Sequence, residues 1–253
     1  MDRSAEIDRT TPTLRPERAP LLRQSWHHLL FLHWDLPPEV LRPLVPAGLE
    51  LDLFDGRAWV GLIPFTITGS RAPFTPPVPF VSDFHEVNVR TYVHHGGRDP
   101  GVWFFSLDAA SLLAVAGARA VYRLPYYDAR MQFDVEPGDP ARYHFVSERR
   151  APAPPPGCDL RWTTRGGTRP AAFRSLDFFL VERYFHYAAG EDGALWRGQV
   201  HHEPYPLQEE AALEGLEETL LAAAGIPRPD EAPYLLASPG VEVRIYPPER
   251  LGE

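Results

Sequence analysis

FHEVNVRTYV, residues 84–93, alternates without a break. In an extended strand successive side chains point to opposite faces. Phe84, Glu86, Asn88, Arg90 and Tyr92 therefore share one face, and His85, Val87, Val89, Thr91 and Val93 the other. The second set suits a core. The first puts a carboxylate, an amide and a guanidinium in succession, which fits either a solvated outer face or the wall of a polar cavity. In a cavity, Glu86 would serve as base or hydrogen-bond acceptor, Asn88 would add a polar contact, and Arg90 would clamp a carboxylate.

The same rhythm extends on both sides. QSWHHLLFLHWDL (24–36) fits a helical face through Trp26, Leu29, Leu30 and Trp34, or a strand through Leu30, Leu32 and Trp34; the strand is favoured. Pro37–Val45 reads as one helical turn with a Pro-rich start. Leu49–Phe54 alternates, Asp55–Gly56 is a hairpin signal, and Arg57–Pro64 is the returning strand. Arg71–Pro79 is a proline-rich loop. Strands are expected at Gly101–Leu107, Ala120–Leu124, Arg130–Val135, Ala141–Arg149, Asp159–Thr164, Leu195–His202 and Gly240–Tyr246. Helices are expected at Ala109–Ala118, from Ser175 through SLDFFLVERYFHYA, and at Gly215–Ala224, closed by Gly225 and Pro227. Many strands, few helices and no βαβ rhythm predict a mainly β, α+β domain with an antiparallel barrel. Residues 21–248 are expected to form this one domain, and residues 1–20 a flexible, charged tail.

Composition excludes several classes. All 25 basic residues are arginine, and the chain has no lysine. The formal net charge of −9 disfavours nucleic acid, because phosphate neutralisation needs a basic surface. No apolar run approaches the roughly 20 residues that span a bilayer, so no membrane partner is expected. The single cysteine, Cys158, allows no intrachain disulfide and reads as part of a proline-rich surface loop; a reducing cytoplasm fits this usage. A homo-oligomer is compatible with the sequence.

Ten histidines raise the question of a metal. The HisHis pairs at 27–28, 94–95 and 201–202 can each give at most one ligand to one side of a strand, and HExxH is absent. No metal and no cofactor are expected. GxSxG and a glycine-rich phosphate loop are also absent.

Several stretches together carry a resemblance: WFFSLDAASLLAVAGARAVYRLPYYDARM (103–131), LVPAGLELDLFDGRAWVGLIPF (44–65), FHEVNVRTYV, FFLVERY (178–184) and HHEPYPLQ (201–208). The chain resembles the YqjF-like family of uncharacterised bacterial proteins, which is distantly similar to acetoacetate decarboxylase. The resemblance implies a cone-shaped antiparallel β-barrel with an interior pocket. It sets Glu86 at the decarboxylase's active-site glutamate, Ala114–Arg119 at its small-residue helix and following step, and Tyr126 and Tyr127 where its two lysines stand. Tyrosine cannot form an imine, so Schiff-base decarboxylation is excluded.

The expected function is binding of a small molecule bearing a carboxylate or carbonyl group. The alternatives are a lysine-independent lyase, hydratase or isomerase of a keto acid, and a structural protein with a vestigial cavity. Candidate catalytic residues are Glu86, Tyr126 and Tyr127. Only one of the two tyrosines is expected to face the pocket, since neighbours on a strand alternate. Candidate substrate-binding residues are Asn88, Arg90, Arg119 and His201. Glu182 and Arg183 are expected at the exposed edge of the helix that follows Ser175.

Overall fold

The computed structural model describes residues 7–78, 82–111, 123–190 and 192–252. Its first five strands are β1 Leu22–Leu36, β2 Glu50–Leu51, β3 Ala58–Arg71, β4 Phe84–His95 and β5 Arg98–Ala109. They are followed by β6 Tyr126–Glu136, β7 Ala141–Arg149, β8 Gly157–Arg169, β9 Phe185–Ala189 and β10 Leu195–His201. The chain ends with β11 Leu207–Glu218, β12 Tyr234–Ile245 and β13 Glu249–Arg250. Among the described residues the α-helices are short: Pro38–Leu41, Leu176–Val181 and Leu220–Ala223. The protein is mainly β, as the alternation predicts.

The hydrogen-bonded ladders run in a ring. β4 lies between β3 and β5, and β3 leads through β1, β12 and β10 to β9, which pairs back onto β5. The sheet is nevertheless not a simple antiparallel barrel, because the edge of β5 opposite β4 is divided. Gly101–Trp103 pair in parallel with Phe185–Tyr187 of β9, and Leu107–Ala109 pair in parallel with Tyr126–Asp128 of β6. Gly101 permits the first junction: a Cβ there would stand 2.6 Å from the carbonyl oxygen of Phe185. From β6 the sheet leaves the ring as an antiparallel wing, β6–β7–β8–β11.

The wing explains why β4 is buried on both faces. Val87 and Val89 join Leu30, Leu32 and Leu62 in a core cluster with Phe145, Leu160 and Trp162 of the wing. Tyr143 stacks on Trp162 at 4.9 Å and 8°. Each fully buried aliphatic or aromatic side chain stabilises by about 1.5–3 kcal/mol, so this layer holds the wing to the ring. The other face of β4 looks into the ring.

Local signals hold where the turn chemistry is strong. Asp55 and Gly56 take φ of 49° and 76° and close the Phe54–Arg57 bridge. The expected strand at Gln24–Leu36 is β1, irregular between His27 and Leu32, with His28 at φ 54°.

Other expectations fail for identifiable reasons. The helix begun at Ser175, whose hydroxyl accepts from the Phe178 amide at 3.2 Å, ends at Val181. Phe185–Ala189 is instead strand β9, because β5 and β10 offer it ladders on both sides. The first part of the expected helix Gly215–Ala224 is the end of β11, drawn into register with β8; helix remains only at Leu220–Ala223. Tertiary pairing overrides helix propensity at both places. The strand expected at Arg130–Val135 is β6, which opens earlier, at Tyr126; residues 112–122, which include most of the expected Ala109–Ala118 helix and of the expected Ala120–Leu124 strand, lie outside the described residues. Cys158 is buried on β8, not in a surface loop.

The first residues described are not a loose tail. Thr11–Thr13 forms a 3-10 turn with Pro12 buried. Arg9 grips Asp52 through two hydrogen bonds of 2.7 and 2.6 Å, and Arg18 reaches Glu249 and Gln199. Ion pairs to fixed side chains, invisible to a local reading, hold this segment down.

Candidate functional site

The ring encloses a cavity of about 640 Å3. Its walls are mostly apolar, with Phe31, Ile63, Phe65, Phe104 and Leu107 among them. Phe84, Glu86, Asn88 and Arg90 all line it, so the polar face of β4 is an interior wall and not a solvated surface. Loop residues Ala72, Thr75, Pro76 and Val78 line its rim.

Glu86 is 3 % exposed and Asn88 4 %. The Tyr126 hydroxyl donates to Oε2 of Glu86 at 2.9 Å, and the Asn88 side chain also hydrogen-bonds Glu86. Burial raises the Glu86 pKa to about 8 despite these two bonds, which favour the anion; Asp108 adds a small push in the same direction as burial. At neutral pH Glu86 is therefore mainly a carboxylic acid. The Oδ1 atom of Asn88 is buried without a hydrogen-bond partner among the described residues.

Arg90 donates to the Leu180 carbonyl at 3.1 Å, and its guanidinium lies 5.8 Å from the Phe31 ring centre and 5.7 Å from that of Tyr92. Its Nε is buried and unpartnered, and no carboxylate pairs with it among the described residues. Arg183 also lines the cavity but is charge-paired: Nη1 meets Asp52 at 2.6 Å and Nε donates to the Phe179 carbonyl at 2.7 Å, while Nη2 is buried without a hydrogen-bond partner among the described residues. Asp52 pairs with Arg183, whereas among the described residues no carboxylate pairs with Arg90 in the interior or with Arg71 at the rim.

Tyr126 and Tyr127 divide as neighbours on a strand must. Tyr126 lines the cavity. Tyr127 points outward, 37 % exposed, with the Arg149 guanidinium 3.9 Å from its ring centre, and so it is not a pocket residue. His201 is likewise corrected: Val200 lines the cavity, whereas His201 turns the other way, toward Thr13 and Arg15. Arg119 lies outside the described residues. Glu182 and Arg183, expected at an exposed edge, are both buried; Glu182 accepts from the Tyr184 hydroxyl at 2.6 Å and the Tyr205 amide at 2.9 Å.

Lining residues that the sequence reading does not single out include Arg183, His186, Tyr205 and, toward the rim, Arg71. The helix expected from Ser175 includes Arg183 and His186 and gives them the wrong periodicity. His186 sits over Gly198, where a Cβ would approach its Nε2 to 2.1 Å, and burial lowers its pKa to about 4, leaving a neutral imidazole. Among the described residues no group of three or more His, Cys, Asp or Glu side chains is placed to hold a metal ion. No helix among them is long and apolar enough to cross a membrane.

Comparison with solved structures gives the same architecture. An acetoacetate decarboxylase-like enzyme from Sphingomonas wittichii superposes with a TM-score of 0.62 at 14% identity, covering 94% of this chain and 98% of its own. The enduracididine biosynthesis enzyme MppR gives 0.66 at 13% identity, covering 94% and 90%. Acetoacetate decarboxylase from Legionella pneumophila gives 0.62 at 14% identity, covering 94% and 90%. At these identities the likeness shows the fold, an acetoacetate decarboxylase-like one. In sequence, the uncharacterized protein YqjF of Bacillus subtilis is 37% identical over 238 residues, 92% of this chain and 93% of that protein. The profile of DUF2071, described as an uncharacterized conserved protein, matches residues 23–242, and the chain belongs to that family.

Proposed function

We propose that the protein binds a small organic molecule through a carboxylate or carbonyl group held by Arg90 inside the ring. The observation that carries this reading is the charge balance. Arg90 faces an enclosed, mainly apolar space with no carboxylate partner among the described residues, and its neighbour Glu86 is protonated at neutral pH. A desolvated guanidinium with an open side favours an anion, and its planar fork matches a carboxylate. Along the same strand Asn88 Oδ1 adds an acceptor, and the Glu86–Tyr126 pair adds an acid about 13 Å from Arg90 at roughly 3.3 Å per residue. An interior of about 640 Å3 argues against a vestigial cavity filled by side chains. The fold tolerates such ligands: structures of MppR contain pyruvate in one case, and the condensation product of pyruvate and imidazole 4-carboxaldehyde in another.

A second reading, lysine-independent lyase, hydratase or isomerase chemistry on a keto acid, is favoured by one observation. A carboxyl group with a pKa of about 8, bonded to a phenol, can give and take a proton near neutral pH. Calorimetric titration with 2-oxo acids and simple carboxylates tests the binding reading. Affinity that drops at least tenfold in Arg90→Ala and partly returns in Arg90→Lys supports it; affinity indifferent to Arg90 rejects it. Turnover of any bound keto acid that survives Glu86→Gln rejects the enzymatic reading.

A further inference from the structure

We infer that the ligand is an amphiphile, a carboxylate or carbonyl head carrying an apolar body of about eight or more carbons, with its head at Arg90 and its body along the β3–β4 wall. This rests on the reading of Arg90 as the head-group anchor.

The argument comes from where the ladders set each side chain. Phe104 lies opposite Arg90, Ile63 opposite Asn88, Phe65 opposite Glu86 and Ile67 opposite Phe84. Between Glu86 and the rim, where Ser70 and Arg71 of β3 stand and Arg71 donates to the Gly69 carbonyl, this wall is apolar. In that stretch stand Phe84, Ile67 and Trp26, the last opposite Ile67 on β1. Arg90 and Phe84 are six residues apart on one strand, about 20 Å at roughly 3.3 Å per residue. Gln24, farther toward the rim, offers little to a ligand: it accepts from the Trp26 indole at 2.9 Å and donates to Ser70 at 3.0 Å.

Size points the same way. The cavity of about 640 Å3 sits within the range of about 300–1,000 Å3 usual for sites that enclose ligands of drug size. A three- or four-carbon acid at Arg90 would leave most of that space to water, and the Phe84, Ile67 and Trp26 stretch gives such water few hydrogen-bonding partners. An apolar body removes that water and buries against those side chains, which predicts about fourfold tighter binding for each added methylene.

The test is calorimetric titration of the full chain with straight-chain carboxylates from butanoate to decanoate, kept below self-association, with pyruvate and decanol alongside. The expected result is decanoate at least about a hundredfold tighter than butanoate, with both weakened in Arg90→Ala. Ile67→Trp, folded by its melting curve, should weaken decanoate and spare butanoate. Affinity for short acids that stays flat or falls with length, while still depending on Arg90, overturns the amphiphile and leaves the anion site standing. Decanol binding as tightly as decanoate, with no effect of Arg90→Ala, overturns the head-and-body arrangement. No binding by any acid, short or long, removes both readings.

Discussion

Asp52 and Glu86 are both buried carboxylates, and they end in opposite states. Burial alone would raise the Asp52 pKa, but the guanidinium of Arg183 and then that of Arg9 outweigh it and hold the acid below its usual range. Glu86 meets a phenol and an amide but no cation, and burial lifts it to about 8. The arginines mirror the acids: Arg183 is locked by Asp52, and Arg90 has the Leu180 carbonyl, the Tyr92 hydroxyl and two aromatic rings but no carboxylate among the described residues. The contrast separates structure from function. The Arg9–Asp52–Arg183 triad is internally neutralised apart from one guanidinium near the surface, and it ties the N-terminal segment to the ring. The Glu86–Arg90 wall faces the cavity with a guanidinium that no carboxylate balances among the described residues.

The largest expected effect breaks the first half of this comparison. Arg183→Ala leaves the buried Asp52 with Arg9 alone, and Asp52→Ala leaves Arg183 with the Phe179 carbonyl but no carboxylate among the described residues. Each should cost about 3–5 kcal/mol in denaturant unfolding, the usual range for breaking a buried pair. Arg90→Ala should cost less, about 1–2 kcal/mol, since it removes hydrogen bonds to the Leu180 carbonyl and the Tyr92 hydroxyl and ring contacts but no ion pair. Equal losses at Arg90 and Arg183 would erase the distinction.

A medium-sized effect sharpens the second half. The folded-state pKa of Glu86 lies above its ordinary 4.5, so between pH 4.5 and 8 the folded state keeps a proton that the unfolded chain has lost. The stability tied to this group is full below pH 4.5 and declines as pH rises through 8. Asp52 has the opposite sign: its contribution is present above the ordinary aspartate range and is lost as pH falls through its lowered folded value. Glu86→Gln, neutral at every pH, should match the parent at pH 5 and exceed it at pH 9 by roughly 2 kcal/mol. That is well under the conversion of about 1.4 kcal/mol per pKa unit, because relaxation around a new charge softens the penalty. Urea midpoints of both proteins at pH 5, 7 and 9 measure it.

The sequence exposed one side of this comparison and hid the other, for physical reasons. The period of two along FHEVNVRTYV put Glu86, Asn88 and Arg90 on one face, and Val87 and Val89 on the other, without any knowledge of what either face met. The Asp55–Gly56 turn was legible because positive φ restricts which residues serve there. Asp52–Arg183 spans 131 positions and Arg9–Asp52 spans 43, and no local pattern encodes such pairs. FFLVERYFHYA hid its change from helix to strand because apolar and aromatic residues satisfy both periods over so short a run. That ambiguity cost Arg183 and His186 their places in the cavity. Leu207–Glu218, rich in Glu, Ala and Leu, favours helix by propensity, and only its pairing with β8 makes it a strand. The branching of β5 was equally out of reach, since it depends on two partners distant in sequence.

The smallest expected effect lies in the adjacent tyrosines. Tyr126 donates to Glu86, and that bond favours the charged carboxylate. Tyr126→Phe removes the donor and keeps the ring, so the Glu86 pKa should rise further. One hydrogen bond is worth about 1 kcal/mol, which translates to a shift of at most about one pKa unit. The decline starts where the unfolded chain loses its proton, as in the parent, but should continue to a pH higher by that amount, read from denaturant midpoints between pH 6 and 10. Tyr127→Phe is the matched control: it also deletes one phenol, keeps the aromatic face over Arg149, and lies on the opposite side of β6. It should leave the profile unchanged. A shift in Tyr127→Phe without one in Tyr126→Phe would mean that the parity of β6 is reversed, and with it the partner that distinguishes Glu86 from Asp52.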